Sequence, residues 1–391
     1  MKKKLIFITE ALWIGGIETA PVNLLNRLDR ERYDVTCLIL RDERETASRI
    51  TAECRLLVAD RHHTVSFEKP YRYARMYDLM EEPQHASRVR RLVWRALRLA
   101  LRAPEARRYS AYIKDQLGGE HFDTAIIYSD RAAEYAVRAV NADRFLMFYH
   151  HGAMRREYHD TFGYRRAEKI IAVSEALAEK LRAFRPAYAE KIIAINNLTD
   201  ADGVREKSLE APQQVFPRDS FNIVSCGRLS PAKGMDLAVD ACALLVRRGV
   251  TGFHWWIVGG GPEEAALRER AERLGVRDTV TLLGMRENPY PYIRQADLYV
   301  QPSRFEAYGL TIAEAMILNV PILSTDTDGA RVLLTDGVSG ALCAADAGSI
   351  ADGVMRLIAD PERRAGYVRY LKEHSPESEN SAILEKLRGL F

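Results

Sequence analysis

The stretch LYVQPSRFEAYGLTIAEAM, residues 298–316, contains a short apolar run, a polar loop and a helical segment in immediate succession. The run LYVQP predicts a buried strand, and the residues from Leu310 onward predict a helix. Gly309 between them permits the sharp turn that joins the two elements. We therefore expect a βα unit whose loop lies at the carboxyl end of the strand, the edge at which α/β proteins bind ligands.

The same succession of strand and helix recurs on both sides of this stretch. In the second half of the chain, the apolar runs are FNIVSCG from 221, HWWIVG from 254, TVTLLG from 279, LYVQPS from 298 and PILSTD from 321. In the first half, they are KLIFIT from 4, YDVTCLIL from 33, CRLLVA from 54, DTAIIY from 123, RFLMFY from 144, KIIAVS from 169 and KIIAIN from 191. Such alternation is typical of parallel sheets joined by crossover helices. The sequence predicts an α/β protein with two doubly wound parallel sheets.

The chain has 391 residues, more than one hydrophobic core usually serves. Residues 199–220 are polar, contain two prolines and show no helical or strand period, as expected of a hinge between domains. We therefore place one domain at 1–205 and a second at 206–375. Apolar residues at helical spacing predict that residues 376–391 form a helix that packs back on the fold.

The overall composition is that of an ordinary globular protein. Lys and Arg number 57 against 54 Asp and Glu, and the resulting net charge of +3 is too small to indicate nucleic-acid binding. The five cysteines include no C-x-x-C pair, which favours a reducing compartment over a disulfide framework or a zinc site. No uncharged apolar stretch reaches about 18 residues, the length that a membrane span needs. The lysines after Met1 precede an apolar run of only about five residues, which predicts a strand and not a signal peptide. We expect a cytoplasmic protein.

Residues 86–117 interrupt the βα rhythm with a stripe of arginines. Five of them follow a spacing of three and four residues, which places them on one side of a helix: Arg88, Arg91, Arg95, Arg98 and Arg102. The stripe is either a solvated outer face or a face for an anionic membrane surface or lipid diphosphate. Nucleic acid is disfavoured because no aromatic stacking platform accompanies the arginines. If the second interpretation holds, the protein is peripheral at the inner face of the membrane.

Candidate site residues of the second half lie in two loops that both follow strands. Glu306 lies in the loop after the strand LYVQP, and Glu314 lies about one turn into the helix that follows. Both carboxylates are therefore expected to border one crevice. Carboxylates there can accept hydrogen bonds from vicinal hydroxyls. The amides around Tyr308, Gly309 and Leu310 form a positive helix end suited to a phosphate. The alternative is a capped helix start with solvent-exposed glutamates.

The second loop carries two cations between glycines. Arg228 and Lys233 lie in the segment GRLSPAKG, flanked by Gly227 and Gly234, at the same edge of the predicted sheet. Two cations and one helix end match a diphosphate, and the segment lacks the G-K-[ST] sequence of a Walker loop. The alternative for both cations is ordinary surface charge.

The first half contributes weaker candidates. Gly15 and Gly16 lie in the loop after the first strand, before a predicted helix, where the backbone either approaches an anion or sugar or merely turns. The sequence there is not G-x-G-x-x-G, so a dinucleotide site is weakly supported. His150 and His151 end a strand and either face the interdomain cleft or serve as structural groups.

These motifs together resemble the nucleotide-sugar glycosyltransferases of family 4, which have the GT-B architecture of two Rossmann-like domains facing a cleft. The resemblance rests on GGIET, HHG, IIAVSE, GRLSPAKG, VGGGPE, NPYPYIRQADLYVQPS and FEAYGLTIAEAM, which span most of the chain in the family's order. The NPYPYI variant is similar to members that build capsular and other surface polysaccharides.

The resemblance implies a role for each candidate residue. Arg228 and Lys233 would hold the donor diphosphate and stabilise the leaving nucleoside diphosphate. Glu314 would bind the ribose hydroxyls. The sugar would be held by Glu306 with the residues that follow it: Ala307, Tyr308, Gly309 and Leu310. Gly16, with Gly15, would approach the phosphate or acceptor, and His151 or His150 would contact the sugar beside the reacting carbon.

The resemblance also implies the reaction. It is that of a retaining hexosyltransferase moving a sugar from a nucleotide-sugar donor, expected to be a UDP-sugar, to a glycan or lipid-linked acceptor. The family needs neither metal nor cofactor, and we interpret Asp326 and Asp328, which imitate a metal-binding D-x-D, as loop-capping residues. The alternatives are a sugar-phosphate epimerase or phosphorylase of the same fold, a NAD-dependent oxidoreductase, and a non-catalytic nucleotide-sugar-binding protein.

Overall fold

The computed structural model describes residues 1–12, 16–40, 47–58, 107–128, 133–150, 154 and 161–391. Within these ranges the strands form two sheets, one in each half of the chain, and every strand pair is parallel. The prediction of two doubly wound parallel sheets is confirmed. The arginine stripe from Arg88 to Arg102 lies outside the described residues.

The first sheet has seven strands in the order β3-β2-β1-β4-β5-β6-β7. Their bounds are β1 Lys3–Thr9, β2 Tyr33–Ile39, β3 Arg55–Val58, β4 His121–Ile127, β5 Asn141–Tyr149, β6 Lys169–Ala172 and β7 Ile192–Ala194. Each of them overlaps one of the apolar runs, because a strand covered by helices on both faces must be apolar nearly throughout. In β1, for example, all residues from Leu5 to Thr9 are buried.

The second sheet has six strands in the order β10-β9-β8-β11-β12-β13. Their bounds are β8 Phe221–Cys226, β9 Phe253–Val258, β10 Val280–Gly284, β11 Leu298–Gln301, β12 Ile322–Thr325 and β13 Ala341–Cys343. The sequence did not predict β13, which is only three residues long and forms the edge of the sheet. In both sheets the order reverses direction next to the first strand, so the adjacent loops open a crevice at the carboxyl edge.

Helices connect the strands and cover the sheets. In the first half, they are α1 Gly16–Arg27, α2 at 107–116, α3 Ala133–Ala139, α4 Thr161–Arg166, α5 Glu175–Phe184 and α6 Ala201–Lys207. In the second half, they are α7 Met235–Arg247, α8 Glu264–Arg273, α9 Tyr290–Arg294, α10 Leu310–Ile317, α11 Asp328–Leu333, α12 Ala347–Ala359, α13 Pro361–Glu373 and α14 Asn380–Arg388. In the described part of the chain, none of these helices has the length and apolar character needed to cross a membrane.

The stretch between the two sheets contains helix α6, which the sequence did not predict. Asp200 caps this helix by accepting a hydrogen bond from the amide of Gly203 at 3.3 Å. Ala201 and Val204 are buried in an apolar cluster of the second half. The segment 199–220 is therefore not a purely irregular hinge, because two small apolar residues in an otherwise polar sequence are enough to anchor a single short helix.

The last helix packs against the first half of the chain. Ile383, Leu387 and Phe391 belong to the buried cluster that also contains β1 and β2. The side-chain oxygen of Asn380 accepts from the amide of Thr199 at 3.1 Å, and its nitrogen donates to the Thr199 carbonyl at 2.8 Å. The polypeptide thus returns to the first half after completing the second sheet.

Candidate active site

Two loops meet at the carboxyl edge of the second sheet, one after β8 and one after β11. The amides of Arg304 and Phe305 both donate to the carbonyl of Ala232, at 2.9 and 3.2 Å. Gly234 ends the short 3₁₀ turn Pro231–Lys233 with a φ of +64°. A Cβ at this position would lie 2.0 Å from the carbonyl oxygen of Pro302, so only glycine allows the loops to approach this closely.

The contact between these loops brings Lys233 and Glu306 together. The ammonium of Lys233 donates to Oε1 of Glu306 at 2.7 Å. The hydroxyl of Ser303 donates to the same oxygen at 2.8 Å, and the amide of Gln301 lies 3.3 Å from it. Glu306 is buried, and its carboxylate is held by donors from both loops. Two residues predicted to lie at one crevice are thus in direct contact, although 73 positions separate them in the chain.

Sequence reasoning missed the buried polar group beneath this pair. Gln301 is fully buried at the end of β11, and its oxygen accepts from Tyr299 at 2.6 Å and from Thr311 at 2.9 Å. Its nitrogen donates to Ser303 at 2.8 Å. An amide at the end of an apolar strand is the sequence feature that could have revealed it, because buried polar side chains almost always have hydrogen-bond partners.

Helix α10 begins directly beside the Lys233–Glu306 pair. Gly309, with a φ of +89°, precedes the helix and provides no side-chain cap. Among the described residues, no acceptor is found for the backbone N–H groups of Tyr308, Gly309 and Leu310, although all three residues are buried. The first N–H groups of a helix have no intrahelical acceptor, so those at this helix start provide donors for an anion.

The segment that starts this helix also touches the first half of the chain. The hydroxyl of Ser174, which caps α5, donates to the carbonyl of Ala307 at 3.0 Å. Tyr308 and Leu310 are buried in the apolar cluster of the first half. The predicted site residues that follow Glu306 therefore lie at the boundary between the two halves.

Glu314 lies one turn further along α10, in different surroundings from Glu306. The hydroxyl of Tyr290 donates to its Oε1 at 3.1 Å. Burial raises the pKa of Glu314 to about 7, while the hydrogen bond from Tyr290 and the positive charge of Arg49 act in the opposite direction. Glu314 and Leu310 line a cavity of about 360 Å³ between α1, α6 and α10, whose wall does not include Glu306.

Arg228 is exposed on the same loop as Lys233. The loop is anchored to the next βα connection, because the amide of Leu229 donates to the carbonyl of Gly260 at 2.9 Å. Gly227 directly precedes Arg228 after the end of β8. Both predicted cations thus lie at the carboxyl edge of the second sheet.

The first-half candidates are only partly within the described residues. Gly16 is the first residue of α1, whereas Gly15 and His151 lie outside the described residues. His150 follows β5 and is buried, with its ring stacked on those of Tyr128 at 5.5 Å and Phe148 at 5.9 Å. Which of His150 and His151 contacts the sugar therefore stays open, as in the sequence analysis.

The pair Asp326 and Asp328 does not cap the following helix. Asp326 accepts two hydrogen bonds from Arg331, and Asp328 pairs with Lys180 of the first half. The cap of α11 is Thr327, whose hydroxyl accepts from the amide of Ala330 at 3.3 Å. Thr327, which lies between the two aspartates, has the extended backbone of an N-cap, and the loop-capping interpretation of Asp326 and Asp328 stays a prediction.

Comparisons with known proteins agree with this geometry. The family model described as Glycosyltransferase Family 4 matches residues 14–202, and the model described as Glycosyl transferases group 1 matches residues 206–374. The two models together span nearly all of both halves.

Two curated relatives are similar over about half of the chain. The α-D-kanosaminyltransferase of Streptomyces kanamyceticus is 28% identical over 51% of this chain and 53% of that protein. The lipopolysaccharide core biosynthesis mannosyltransferase LpsB of Rhizobium meliloti is 36% identical over 43% of this chain and 52% of that protein. The chain thus spans about half the length of these relatives.

The fold extends over the whole chain. The crystal structure of HepE from Anabaena, in complex with UDP and glucose, superposes with a TM-score of 0.72 over 99% of this chain and 100% of that one, at 19% identity. Because both halves and their connection match, the likeness includes the two-sheet architecture and not a single domain. Because family models match both halves, at residues 14–202 and 206–374, the chain belongs to glycosyltransferase family 4, and its fold is GT-B.

Proposed function

We propose that this protein is a retaining, metal-independent glycosyltransferase that uses a UDP-sugar as donor. The acceptor is a glycan or a lipid-linked sugar of a surface polysaccharide. The observation that carries the proposal is the contact of Lys233 with the buried carboxylate of Glu306, beside a helix start whose first amides have no acceptor among the described residues.

This arrangement suits the departure of a nucleoside diphosphate. Breaking a glycosyl phosphate leaves negative charge on the diphosphate and positive character on the sugar. Lys233, Arg228 and the amides of the helix start would stabilise the diphosphate as its charge grows, because preorganised donors need no rearrangement during the reaction. The carboxylate of Glu306 would accept hydrogen bonds from hydroxyls of the transferred sugar.

The remaining candidates would hold the other parts of the donor and acceptor. Glu314 would accept hydrogen bonds from the ribose hydroxyls. Gly16 would let the first half approach the phosphate or acceptor, and His150 or His151 would contact the sugar near its reacting carbon. In this scheme the acceptor hydroxyl attacks the face that the diphosphate leaves, so the new carbon–oxygen bond keeps the anomeric configuration. The acceptor proton passes to the departing phosphate oxygen.

The named relatives support the choice of donor and pathway. HepE was crystallised with UDP and glucose. LpsB is named as a mannosyltransferase of lipopolysaccharide core biosynthesis. A cytoplasmic enzyme peripheral at the inner membrane face would fit a lipid-linked acceptor. That placement depends on the stripe from Arg88 to Arg102 and stays a prediction; retention by anionic vesicles at low salt tests it.

The decisive experiment has two steps. Thermal unfolding is first measured with UDP, GDP, ADP and dTDP. A nucleotide that binds only the folded protein raises the unfolding temperature, and we expect the largest rise with UDP because the proposed donor is a UDP-sugar. Donors built on the stabilising nucleotide are then incubated with glycan and lipid-linked acceptors in the presence of a metal chelator. An anomer-retaining glycoside as product supports the proposal.

Other products would favour a different function. Isomerised donor or sugar phosphate would indicate an epimerase or a phosphorylase, and nucleotide binding without any turnover would indicate a binding protein. Stabilisation by NAD but by none of the nucleoside diphosphates would point to an oxidoreductase.

A further inference from the structure

Arg49 is held in a fixed position on the first half of the chain. It ends the 3₁₀ turn Ala47–Arg49, which lies beside α1. The side-chain nitrogen of Asn26 donates to the carbonyl of Arg49 at 2.7 Å, and the side-chain oxygen accepts from the amide of Thr51 at 2.8 Å. Because Asn26 lies on α1, these bonds fasten the backbone around Arg49 to that helix.

The side chain of Arg49 reaches the second half of the chain. Its Nη2 donates to the carbonyl of Glu287, in the loop between β10 and α9. Over the ranges that the structure describes, this carbonyl is the one hydrogen-bond partner of the Arg49 side chain. A guanidinium has five N–H donors, so most of its donor capacity is available to a ligand.

Arg49 also borders the cavity that contains Glu314. Both residues line the space of about 360 Å³ between the halves, together with Tyr290. Burial raises the pKa of Glu314 and of Tyr290, and the positive charge of Arg49 opposes that rise at both groups. Arg49 thus acts electrostatically on the carboxylate assigned to the ribose under the proposed function.

We infer that Arg49 is the contact of the first half with the donor nucleoside. Its guanidinium donates to an oxygen of the nucleoside that is held at Glu314, so one ligand bonds to both halves. A ligand that contacts both halves favours the arrangement in which they are close together, because its differential affinity shifts that equilibrium. This inference rests on the proposed function and adds a residue outside the loops of Lys233 and Glu306.

The test measures UDP binding by calorimetry for the wild type, Arg49→Met and Arg49→Lys. We expect Arg49→Met to raise the Kd by about tenfold to a hundredfold, the range for a hydrogen bond to a charged group. Arg49→Lys retains the charge and should recover part of the affinity. Inorganic pyrophosphate, used as a competitor of UDP, should bind Arg49→Met and wild type equally well, because the contact is to the nucleoside.

Lys180→Met is the matched control. Lys180 pairs with Asp328 across the same boundary and does not line the cavity, so its removal also deletes a cation and a contact between the halves. We expect its Kd for UDP to stay within about threefold of wild type, since exposed ion pairs contribute little. Melting temperatures without nucleotide check that all variants fold.

Several results would overturn the inference. An equal loss of UDP affinity in Lys180→Met and Arg49→Met would mean that any contact between the halves affects UDP binding, with no specific role for Arg49. Unchanged UDP affinity in Arg49→Met, with tight binding by wild type, would remove Arg49 from the site but leave the proposed function intact. A wild-type protein that binds no nucleoside diphosphate would overturn both.

Discussion

Lys233 and Glu306 differ in their access to solvent. The Lys233 side chain is 29% exposed and that of Glu306 only 6%. If one partner of such a pair is removed, the buried partner keeps an uncompensated charge. The resulting loss of folding free energy is larger than the stabilisation that the intact pair provides. Ser303 and Gln301 reduce this destabilisation, because both donate hydrogen bonds to Oε1 of Glu306, the oxygen that accepts from Lys233. Lys233 can therefore be replaced without forcing the loop to unfold.

We expect Lys233→Met to lower the rate of sugar transfer about a hundredfold. The physical reason is the loss of one preorganised donor at the leaving diphosphate, which typically costs about 3 kcal/mol of transition-state stabilisation. The measurement is the steady-state rate at saturating donor, with circular dichroism to verify folding. Arg270→Met, which breaks the pair with Asp240 on the outer helices, is the control and should keep wild-type activity. Near-normal transfer by Lys233→Met would contradict the assigned role.

Glu314 should make stability depend on pH. Its pKa is about 7 in the folded protein, above its ordinary value of 4.5, so the folded state holds a proton that the unfolded chain releases. The resulting stabilisation is complete below about pH 4.5 and disappears as the pH rises through about 7. Relative to Glu314→Gln, the free energy of unfolding of the wild type should fall across that interval.

Urea unfolding at several pH values measures this difference. Glu269→Gln, a substitution on the exposed side of α8, is the control. Parallel pH profiles of the wild type and Glu314→Gln would mean that the half-buried carboxyl group is not desolvated enough to raise its pKa.

The elements around the site are held together by close backbone contacts. The loop after β8 and the loop after β11 approach within hydrogen-bond distance at Ala232, and Gly234 is what permits it. Glycine is the only residue without a Cβ, and its left-handed φ there costs it little. The positions of Lys233 and Glu306 thus depend on a residue that has no chemistry of its own.

Gly234→Ala should destabilise the protein by more than about 2 kcal/mol. The new methyl would clash with the Pro302 carbonyl in addition to the strain of the positive φ. Gly249→Ala is the matched control, because Gly249 has a φ of +78° with no atom near its Cβ position and should cost only about 1 kcal/mol. Denaturant unfolding measures both. Equal losses in the two variants would show that the loops can separate without cost.

At the scale of the whole molecule, the end of the chain binds the two halves together. The ring of Phe391 meets those of Phe7 at 6.4 Å and Tyr33 at 5.9 Å, both edge-on. Helix α14 follows the second half in sequence but is buried with the first. The halves are therefore connected twice, once through α6 and once through α14.

We expect Phe391→Ala to lower the free energy of unfolding by about 3 kcal/mol, the usual cost of removing a buried aromatic ring. Phe391 is 2% exposed, whereas Phe305 is 53% exposed, so Phe305→Ala is a control with the same change in side chain. Chemical denaturation of both variants tests this. If Phe391→Ala lowers the free energy of unfolding no more than Phe305→Ala does, the packing of α14 contributes little to the stability of the first half.

Most of the fold was predictable because strands and helices are encoded locally. Each of the twelve apolar runs overlaps a strand of the structure, since a strand buried between helices needs an uninterrupted apolar run. β13 escaped prediction because three partly buried residues leave no period. Helix α6 escaped it because its sequence is mostly polar and its two buried residues pack only in the tertiary fold.

The candidate site was predictable only in part, because the sequence encodes local elements but not the contacts between residues that are distant in the chain. Residue types and their places after strands predicted Lys233, Glu306 and Glu314 as candidates at one edge of the sheet, because the carboxyl ends of parallel strands meet there. The partners of those residues were not predictable: Gln301 under Glu306, Tyr290 on Glu314 and Arg49 across the boundary are brought there by packing.

The sequence alone therefore determined the fold class, the two sheets and the family, because periodicity and short motifs are properties of neighbouring residues. The tertiary structure alone decided which side chains touch, that Thr327 caps α11, and that α14 packs on the first half. Such contacts join residues far apart in the chain, as Asn380 and Thr199 are, at 181 positions. Their geometry arises only when the sheets and helices pack.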